Sequence, residues 1–317
     1  MRPLFPLRRW HWAGIVSAGL FFAMPTIAGD LDVLGQFIKQ QQTDENSPDA
    51  LTTFITNHPD ANLEVQAKVA GPLLNSQSAL IMNSHTGEIL YQKNINQIRS
   101  IASITKLVSA MVILDANLDM NESITITDSE IDRLKGSSSR LSIWTTMTRR
   151  ELLHIGLMSS ENRAIHALAR TYPGGLAAFI PAMNRKVAQL GMTNAHFYDP
   201  TGLDPRNMAT ARDLALLVRG ASNYPLIREF TTDNYGSVYT SAGKTQIYHN
   251  SNALVREGSW PIIMQKTGYI REAGRSMVVE TTIQNQPVII VLLNSASSST
   301  RVSDARALRS WVIQQTL

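Results

Sequence analysis

Two side chains three residues apart could form the reacting pair of a serine acyl-transfer enzyme. Ser103 and Lys106 stand at the start of a segment whose apolar residues recur at helical spacing. At this spacing both side chains lie on one face of a helix, so the amine can approach the hydroxyl. The positive end of the helix dipole would favour the alkoxide that develops on the serine. The pair therefore predicts a serine nucleophile with a lysine as its base.

A lysine can act as that base only if its pKa falls well below the ordinary value of about 10.4. Burial and a neighbouring cation would both lower it. Lys266, in Lys266-Thr267-Gly268, is the candidate cation. We expect this tripeptide on a strand that pairs with an extended peptide, with its lysine and threonine holding a substrate carboxylate. Taken alone, the tripeptide is more typical of a surface lysine followed by a strand-end glycine than of a binding site.

A third short motif, Ser160-Glu161-Asn162, lies at a break between two helical patterns. Asn162 could hydrogen-bond the substrate amide or the amine of Lys106, and Ser160 could pass a proton to the leaving amine. We expect Glu161, which stands between them, to face solvent. Taken alone, the motif is typical of a helix cap.

The pattern S-x-x-K by itself carries little weight. It is expected about once by chance in a chain of this length, and Ser241 and Lys244 form a second copy. That copy lies in a glycine-containing, non-periodic segment with no helix to align the side chains, so we reject it. The prediction depends instead on three motifs that occur in order, each in its expected structural context.

The hydrophobic pattern also predicts the elements that position these motifs. The segments predicted as strands are 79–83, 88–92, 262–269, 276–283 and 288–293, the first two joined as a hairpin. The segments predicted as helices are one that follows Ser100, residues 151–158 and 163–170, and a closing amphipathic helix with Ala305, Leu308, Trp311 and Val312. This order predicts an α/β fold, with an antiparallel sheet flanked by helices and an inserted helical subdomain at about 115–223.

Residues 1–28 have the layout of a secretory signal peptide. Three arginines precede an uncharged apolar stretch that ends at Pro25-Thr26-Ile27-Ala28, which predicts cleavage after about Ala28. An uncleaved membrane anchor is the alternative, because the apolar stretch approaches the roughly 20 residues that span a bilayer. We expect the mature protein in the periplasm, with membrane contact only through the leader. Residues 29–71 form an extension to which the sequence assigns no role.

The charge and the residue types exclude several classes of function. The chain has 29 basic and 25 acidic residues, but three of the basic residues lie in the leader. The remaining chain has 26 basic and 25 acidic residues, so its charge gives no reason to expect nucleic-acid binding. The absence of cysteine excludes disulfides and thiolate chemistry. The histidines lack H-E-x-x-H spacing, and His154 and His166 are interpreted as helix-face residues, so we expect no metal and no cofactor.

The three motifs together resemble the signature of the low-molecular-mass penicillin-binding proteins, which is S-x-x-K, then S-x-N, then K-T-G. The resemblance runs from about Ser78 to the C-terminus and includes residues 190–192, 199–203 and 210–214. Within this family of D-alanyl-D-alanine peptidases, the chain is most similar to endopeptidases of the penicillin-binding protein 7 type. The grounds are the Ser-Ser-Glu-Asn-Arg-Ala string, the turn at 172–175, and an end at the helix expected to close the catalytic domain.

The resemblance implies a β-lactamase/transpeptidase-like fold with a five-stranded antiparallel sheet, in a peptidase domain at 72–317. Ser103 would be acylated with Lys106 as its base, and backbone N–H groups of Ser103 and Tyr269 would form the oxyanion hole. The implied catalytic residues are Ser103, Lys106, Ser160 and Asn162. The implied substrate-binding residues are Lys266, Thr267, Gly268 and Tyr269.

The activity implied by the resemblance is hydrolysis of D-Ala-containing peptidoglycan cross-links through an acyl-enzyme. Its partners would be stem peptides and cross-links, with β-lactams as covalent inhibitors. Three alternatives stay open. A D-alanyl-D-alanine carboxypeptidase would use the same motifs. A β-lactamase would also share them, but the chain has no Glu-x-x-Leu-Asn segment between the second and third motifs. A non-catalytic binder of wall peptides would have lost the nucleophile.

Overall fold

A computed structural model describes residues 71–315. The predicted leader at 1–28 and all of the predicted extension except Gly71 lie outside the described residues. Within the described range, no helix is both long enough and apolar enough to cross a bilayer.

Strands and helices are interspersed along the chain. The strands are β1 Ser78–Asn83, β2 Ile89–Lys93, β3 Arg99–Ser100, β4 Ser123–Thr125, β5 Thr146–Thr148, β6 Met208–Ala209, β7 Tyr235–Tyr239, β8 Thr245–His249, β9 Ile262–Ile270, β10 Gly274–Ile283 and β11 Gln286–Ser295. The helices are α1 Thr105–Asp115, α2 Arg149–Met158, α3 Asn162–Arg170, α4 Gly175–Gln189, α5 Ala211–Ala221, α6 Pro225–Thr232, α7 Ala253–Glu257 and α8 Ser298–Gln315. Short 3₁₀ helices lie at Ala102–Ile104 and Asp128–Glu130.

One five-stranded antiparallel sheet, in the order β2-β1-β11-β10-β9, forms the centre of the fold. Alternate residues of its strands enter two different cores, as the period of two in a strand requires. On β10, Val278 packs in the core that contains α1, and Val279 packs in the core that contains α8. The predicted α/β class, with an antiparallel five-stranded sheet between helices, is therefore confirmed.

Helix α1 is the buried centre of the helical side. Nine of its residues, Thr105 through Ile113, are buried, so it is enclosed on all sides. Because α1 begins directly after the 3₁₀ turn that carries Ser103, this enclosure holds the first motif rigidly. Strand β9, which carries the third motif, lies at an edge of the sheet and contacts the same 3₁₀ turn.

The predicted elements are confirmed with small changes at their ends. Helix α2 begins two residues earlier than predicted, because Thr148 and Glu151 form a reciprocal capping box at its start. The middle of the chain also contains β4, β5 and β6, short strands that the sequence pattern did not predict. The boundaries of the helical subdomain stay a prediction.

Candidate active site

Ser103 and Lys106 lie at the junction between the 3₁₀ turn Ala102–Ile104 and α1. Side chains at i and i+3 are eclipsed in a 3₁₀ turn, and Lys106 Nζ lies 2.8 Å from Ser103 Oγ. Lys106 is fully buried, whereas Ser103 is partly exposed. The hydroxyl is therefore accessible to a substrate while the amine behind it is shielded from water.

Two further acceptors hold the amine of Lys106. Its Nζ donates to Asn162 Oδ1 at 2.6 Å and to the carbonyl oxygen of Thr201 at 2.7 Å. A lysine ammonium has three donors and no acceptor, so the three contacts use all of them. A neutral amine would keep two donors for Asn162 and Thr201 and turn its lone pair toward Ser103. The geometry thus suits a base that takes the serine proton.

Burial lowers the pKa of Lys106 to about 7, against the opposing effects of the carboxylates of Asp199 and Glu161. We expected the charge of Lys266 to contribute to this lowering. The interaction between the two amines is present and acts in the expected direction, because like charges oppose each other's protonation. The pKa of Lys266 is lowered well below its usual value by burial, and then by the charges of Lys106 and Arg301. Two fully buried amines in one site oppose each other's protonation.

The second motif forms the turn between α2 and α3. Ser160 has a φ of +65°, a left-handed conformation that is uncommon for serine. In the described part of the chain its side chain has no hydrogen-bond partner, so its hydroxyl is available to a substrate. Asn162 is the first residue of α3, and this position presents its side chain to Lys106.

Glu161 does not face solvent, so the prediction for this residue was wrong. Its side chain is buried and it, rather than Ser160, is the N-cap of α3. The carboxylate accepts hydrogen bonds from the backbone N–H of Arg163 at 3.2 Å and from Ser139 Oγ at 2.8 Å. These two donors explain how a carboxylate can be buried here.

The third motif brings β9 against the backbone of the nucleophile. A Cβ on Gly268 would lie 2.8 Å from the carbonyl oxygen of Ile101 and 3.1 Å from the backbone nitrogen of Ser103. Only glycine permits this approach. Thr267 Oγ1 hydrogen-bonds Ser251 Oγ at 2.7 Å, and Lys266 Nζ donates to the carbonyl oxygen of Thr267 at 2.9 Å. These contacts hold the side chains of the motif along the edge strand.

Tyr269, the fourth residue predicted to bind substrate, is 52% exposed. The guanidinium of Arg275 on β10 stacks over its ring, 3.5 Å from the ring centroid. Its exposed position at the outer end of the motif leaves it accessible to a substrate that pairs with β9.

The support of Lys106 by residues 199–204 was not predicted from the sequence. The carboxylate of Asp199 accepts hydrogen bonds from the backbone N–H groups of Thr201 at 2.8 Å, Gly202 at 3.1 Å and Asp204 at 3.2 Å. Asn207 Nδ2 donates to Asp199 Oδ1 at 2.8 Å. The loop so formed aims the Thr201 carbonyl at Lys106. An aspartate that precedes threonine and glycine is typical of such a turn.

Substituting Gly202 by alanine should disturb this loop and the nucleophile together. Gly202 has a φ of +86°, and a Cβ there would lie 1.9 Å from the carbonyl oxygen of Ala102. We expect a loss of about 3–5 kcal/mol in the free energy of unfolding, from the left-handed backbone and the overlap. Chemical denaturation of both proteins measures it.

Gly243→Ala is the matched control for that substitution. Gly243 has a φ of +71°, but its Cβ would meet only Tyr239 Oη at 3.9 Å. The control should lose only about 1–2 kcal/mol, the cost of the left-handed backbone alone. Equal losses at the two glycines would contradict the close approach of Gly202 to the nucleophile turn.

The residues that the sequence analysis set aside lie elsewhere. Ser241 and Lys244 occupy the turn between β7 and β8, where Ser241 Oγ donates to the carbonyl oxygen of Ile143 at 2.6 Å. His154 lies on α2 and His166 on α3, and His166 Nδ1 is 3.1 Å from Glu130 Oε1. Across residues 71–315, no group of three or more potential ligands forms a metal site.

Residues 65–297 match the model of the D-alanyl-D-alanine carboxypeptidase family. The chain belongs to this family. A D-alanyl-D-alanine endopeptidase of Pseudomonas aeruginosa is 40% identical over 255 residues, which cover 80% of this chain and 81% of the relative. A D-alanyl-D-alanine endopeptidase of Escherichia coli is 40% identical over 242 residues, which cover 76% and 78%.

Among solved structures, the crystal structure of a Streptomyces DD-transpeptidase is similar, with a TM-score of 0.71 and 29% sequence identity. The match covers 77% of this chain and 98% of that one. It confirms the predicted transpeptidase-like fold for this member of the D-alanyl-D-alanine carboxypeptidase family.

Proposed function

We propose that this protein is a periplasmic serine D-alanyl-D-alanine endopeptidase that hydrolyses D-Ala-containing cross-links of peptidoglycan through an acyl-enzyme on Ser103. The observation that carries the proposal is the buried amine of Lys106, 2.8 Å from Ser103 Oγ and oriented by Asn162 and Thr201. Family membership supports the reaction, and the 40% identity to two D-alanyl-D-alanine endopeptidases supports the substrate.

In the acylation step, neutral Lys106 takes the proton of Ser103 as Oγ attacks the carbonyl carbon of the scissile bond. In this proposal the oxyanion is held by the backbone N–H groups of Ser103 and Tyr269. The carbon–nitrogen bond then breaks, and the leaving amine receives the proton from Lys106 through the hydroxyl of Ser160. Water later attacks the ester, returns a proton through Lys106 and frees Ser103.

The substrate carboxylate is held by Lys266 and Thr267 in this proposal. The charge of Arg301, together with that of Lys106 when it is protonated, acts on Lys266 and favours an anion there. An incoming carboxylate would offset these charges and raise the pKa of Lys266. The free edge of β9 would pair with the extended peptide, and the carboxylate of a β-lactam would take the same place.

The acylation rate should rise with pH through about 7 and level off above it. Only neutral Lys106 can accept the serine proton, and burial places its pKa at about 7. Below that value the rate should fall about tenfold per pH unit. The measurement is the second-order rate constant for acylation by benzylpenicillin from about pH 5 to about pH 9. A rate that stays flat from about pH 8 to about pH 5 would contradict Lys106 as the base.

The bond that the protein prefers to cleave distinguishes the proposed endopeptidase from a carboxypeptidase, which is the activity in the family's name. The purified protein would be incubated with a cross-linked muropeptide dimer and, separately, with an uncross-linked pentapeptide, and the products identified by mass spectrometry. An endopeptidase converts the dimer to monomers. Release of terminal D-alanine from the pentapeptide, with the dimer left intact, would replace the proposal by a carboxypeptidase.

A further inference from the structure

We infer that Glu161 is a positioning residue of this active site, which acts through Asn162 and Lys106. The inference deepens the proposed function and rests on it. Glu161 is the middle residue of the second motif, in the turn between α2 and α3. It is buried beneath that turn, 8% exposed, which is rare for a glutamate.

Glu161 is fixed through both its side chain and its backbone. Its carboxylate accepts from the N–H of Arg163 at 3.2 Å and from Ser139 Oγ at 2.8 Å. Its own backbone N–H donates to the carbonyl oxygen of Ile155 at 3.2 Å, and its carbonyl accepts from the N–H of Ile165. Glu161 thereby joins the end of α2, the start of α3 and the segment at Ser139.

This anchoring determines where Asn162 lies. Asn162 begins α3 directly after the cap, and its Oδ1 accepts the 2.6 Å hydrogen bond from Lys106 Nζ. A shift of the capped turn would move the acceptor that orients the amine. Glu161 therefore acts on Lys106 indirectly, through the side chain of Asn162, which accepts a hydrogen bond from Lys106 Nζ.

The negative charge of Glu161 also acts on Lys106. It is one of two carboxylates, with Asp199, that raise the pKa of Lys106 against the effect of burial. Arg163 contacts Glu161 through its backbone N–H, and Arg140 follows Ser139 in the chain, but the guanidinium groups of both make other contacts. Arg163 Nη1 donates to the carbonyl oxygen of Leu141 at 2.6 Å, and Arg140 stacks over the ring of Tyr248 at 4.6 Å.

No ion pair of Glu161 is present in the part of the chain that the structure describes, so its charge is not cancelled locally. Tyr248, the other titratable neighbour, is fully buried, and its pKa is raised by burial and then by Glu161. Tyr248 thus stays neutral and adds no second negative charge beside the carboxylate. Lys106 is the group on which the charge of Glu161 has a catalytic consequence.

The test compares Glu161→Gln with Glu161→Asp. Glutamine keeps the shape and the acceptor oxygen but removes the charge, whereas aspartate keeps the charge and is a good N-cap. In E161Q the midpoint of the pH profile for Ser103 acylation by benzylpenicillin should move to lower pH. At about pH 5.5 its rate, relative to its own plateau, should exceed that of the wild type about three- to fivefold. In E161D the midpoint should stay near that of the wild type.

Glu151→Gln is the matched control, because it removes the same charge from a capping residue on α2, at the exposed surface. Its profile should be that of the wild type. The inference is overturned if the midpoint of E161Q coincides with that of E151Q, or if E161D shifts as far as E161Q. A wild-type protein that forms no adduct at any pH would refute the proposed function instead.

Discussion

Replacing Ser103 by alanine should abolish both the penicilloyl adduct and the cleavage of cross-linked peptides. Ser103 Oγ is the hydroxyl that the buried amine of Lys106 contacts at 2.8 Å, so its loss removes the atom that forms the acyl bond. Loss of a serine nucleophile lowers turnover by about 10⁴-fold or more. Intact-protein mass spectrometry after incubation with benzylpenicillin measures the adduct, and product analysis measures the cleavage.

Ser241→Ala is the matched control, because Ser241 belongs to the second S-x-x-K copy in the same chain. Its hydroxyl donates to the carbonyl oxygen of Ile143 in a turn between two strands, where no helix aligns it with Lys244. This variant should keep the full adduct. An adduct that survives Ser103→Ala would show that another residue is the nucleophile.

Replacing Lys106 by methionine should lower the acylation rate by about 10²- to 10⁴-fold, the usual contribution of a general base. Methionine is of similar length and apolar, so it suits a fully buried position. It cannot take the proton of Ser103. The second-order rate constant for acylation by benzylpenicillin, measured well above neutral pH, gives the size of the loss, and the melting temperature shows that the variant is folded.

Lys244→Met serves as the control for that variant, since Lys244 is exposed in the turn between β7 and β8. Its acylation rate should equal that of the wild type. A Lys106 variant that is folded and acylates at the wild-type rate above neutral pH would exclude the proposed base. The remaining candidate would then be the other buried amine, Lys266.

Those parts of the fold whose determinants are local could be predicted from the sequence. The spacing of Ser103 and Lys106 alone places both side chains on one face, and the 2.8 Å contact confirms this. The strands predicted at 276–283 and 288–293 likewise form, as β10 and β11. Capping and turn residues shifted the ends of elements by only one or two positions.

The parts that depend on distant chain segments could not be predicted. The burial of Glu161 depends on Ser139, and the third acceptor of Lys106 is the backbone carbonyl of Thr201, which carries no side-chain signal. The extent to which burial lowers the pKa of Lys106, to about 7, likewise could not be predicted. Depth of burial is a property of the packed core, whereas the sequence shows only that a second lysine exists.

The most direct test of the account is to trap the acyl-enzyme formed from a cross-linked muropeptide dimer. The reaction would be quenched in acid within a single turnover, the protein digested, and the fragments identified by mass spectrometry. We predict the donor peptide bound as an ester to Ser103, together with an equal amount of released acceptor. Cleavage of the dimer with no adduct on Ser103, or with an adduct on a different residue, would contradict it.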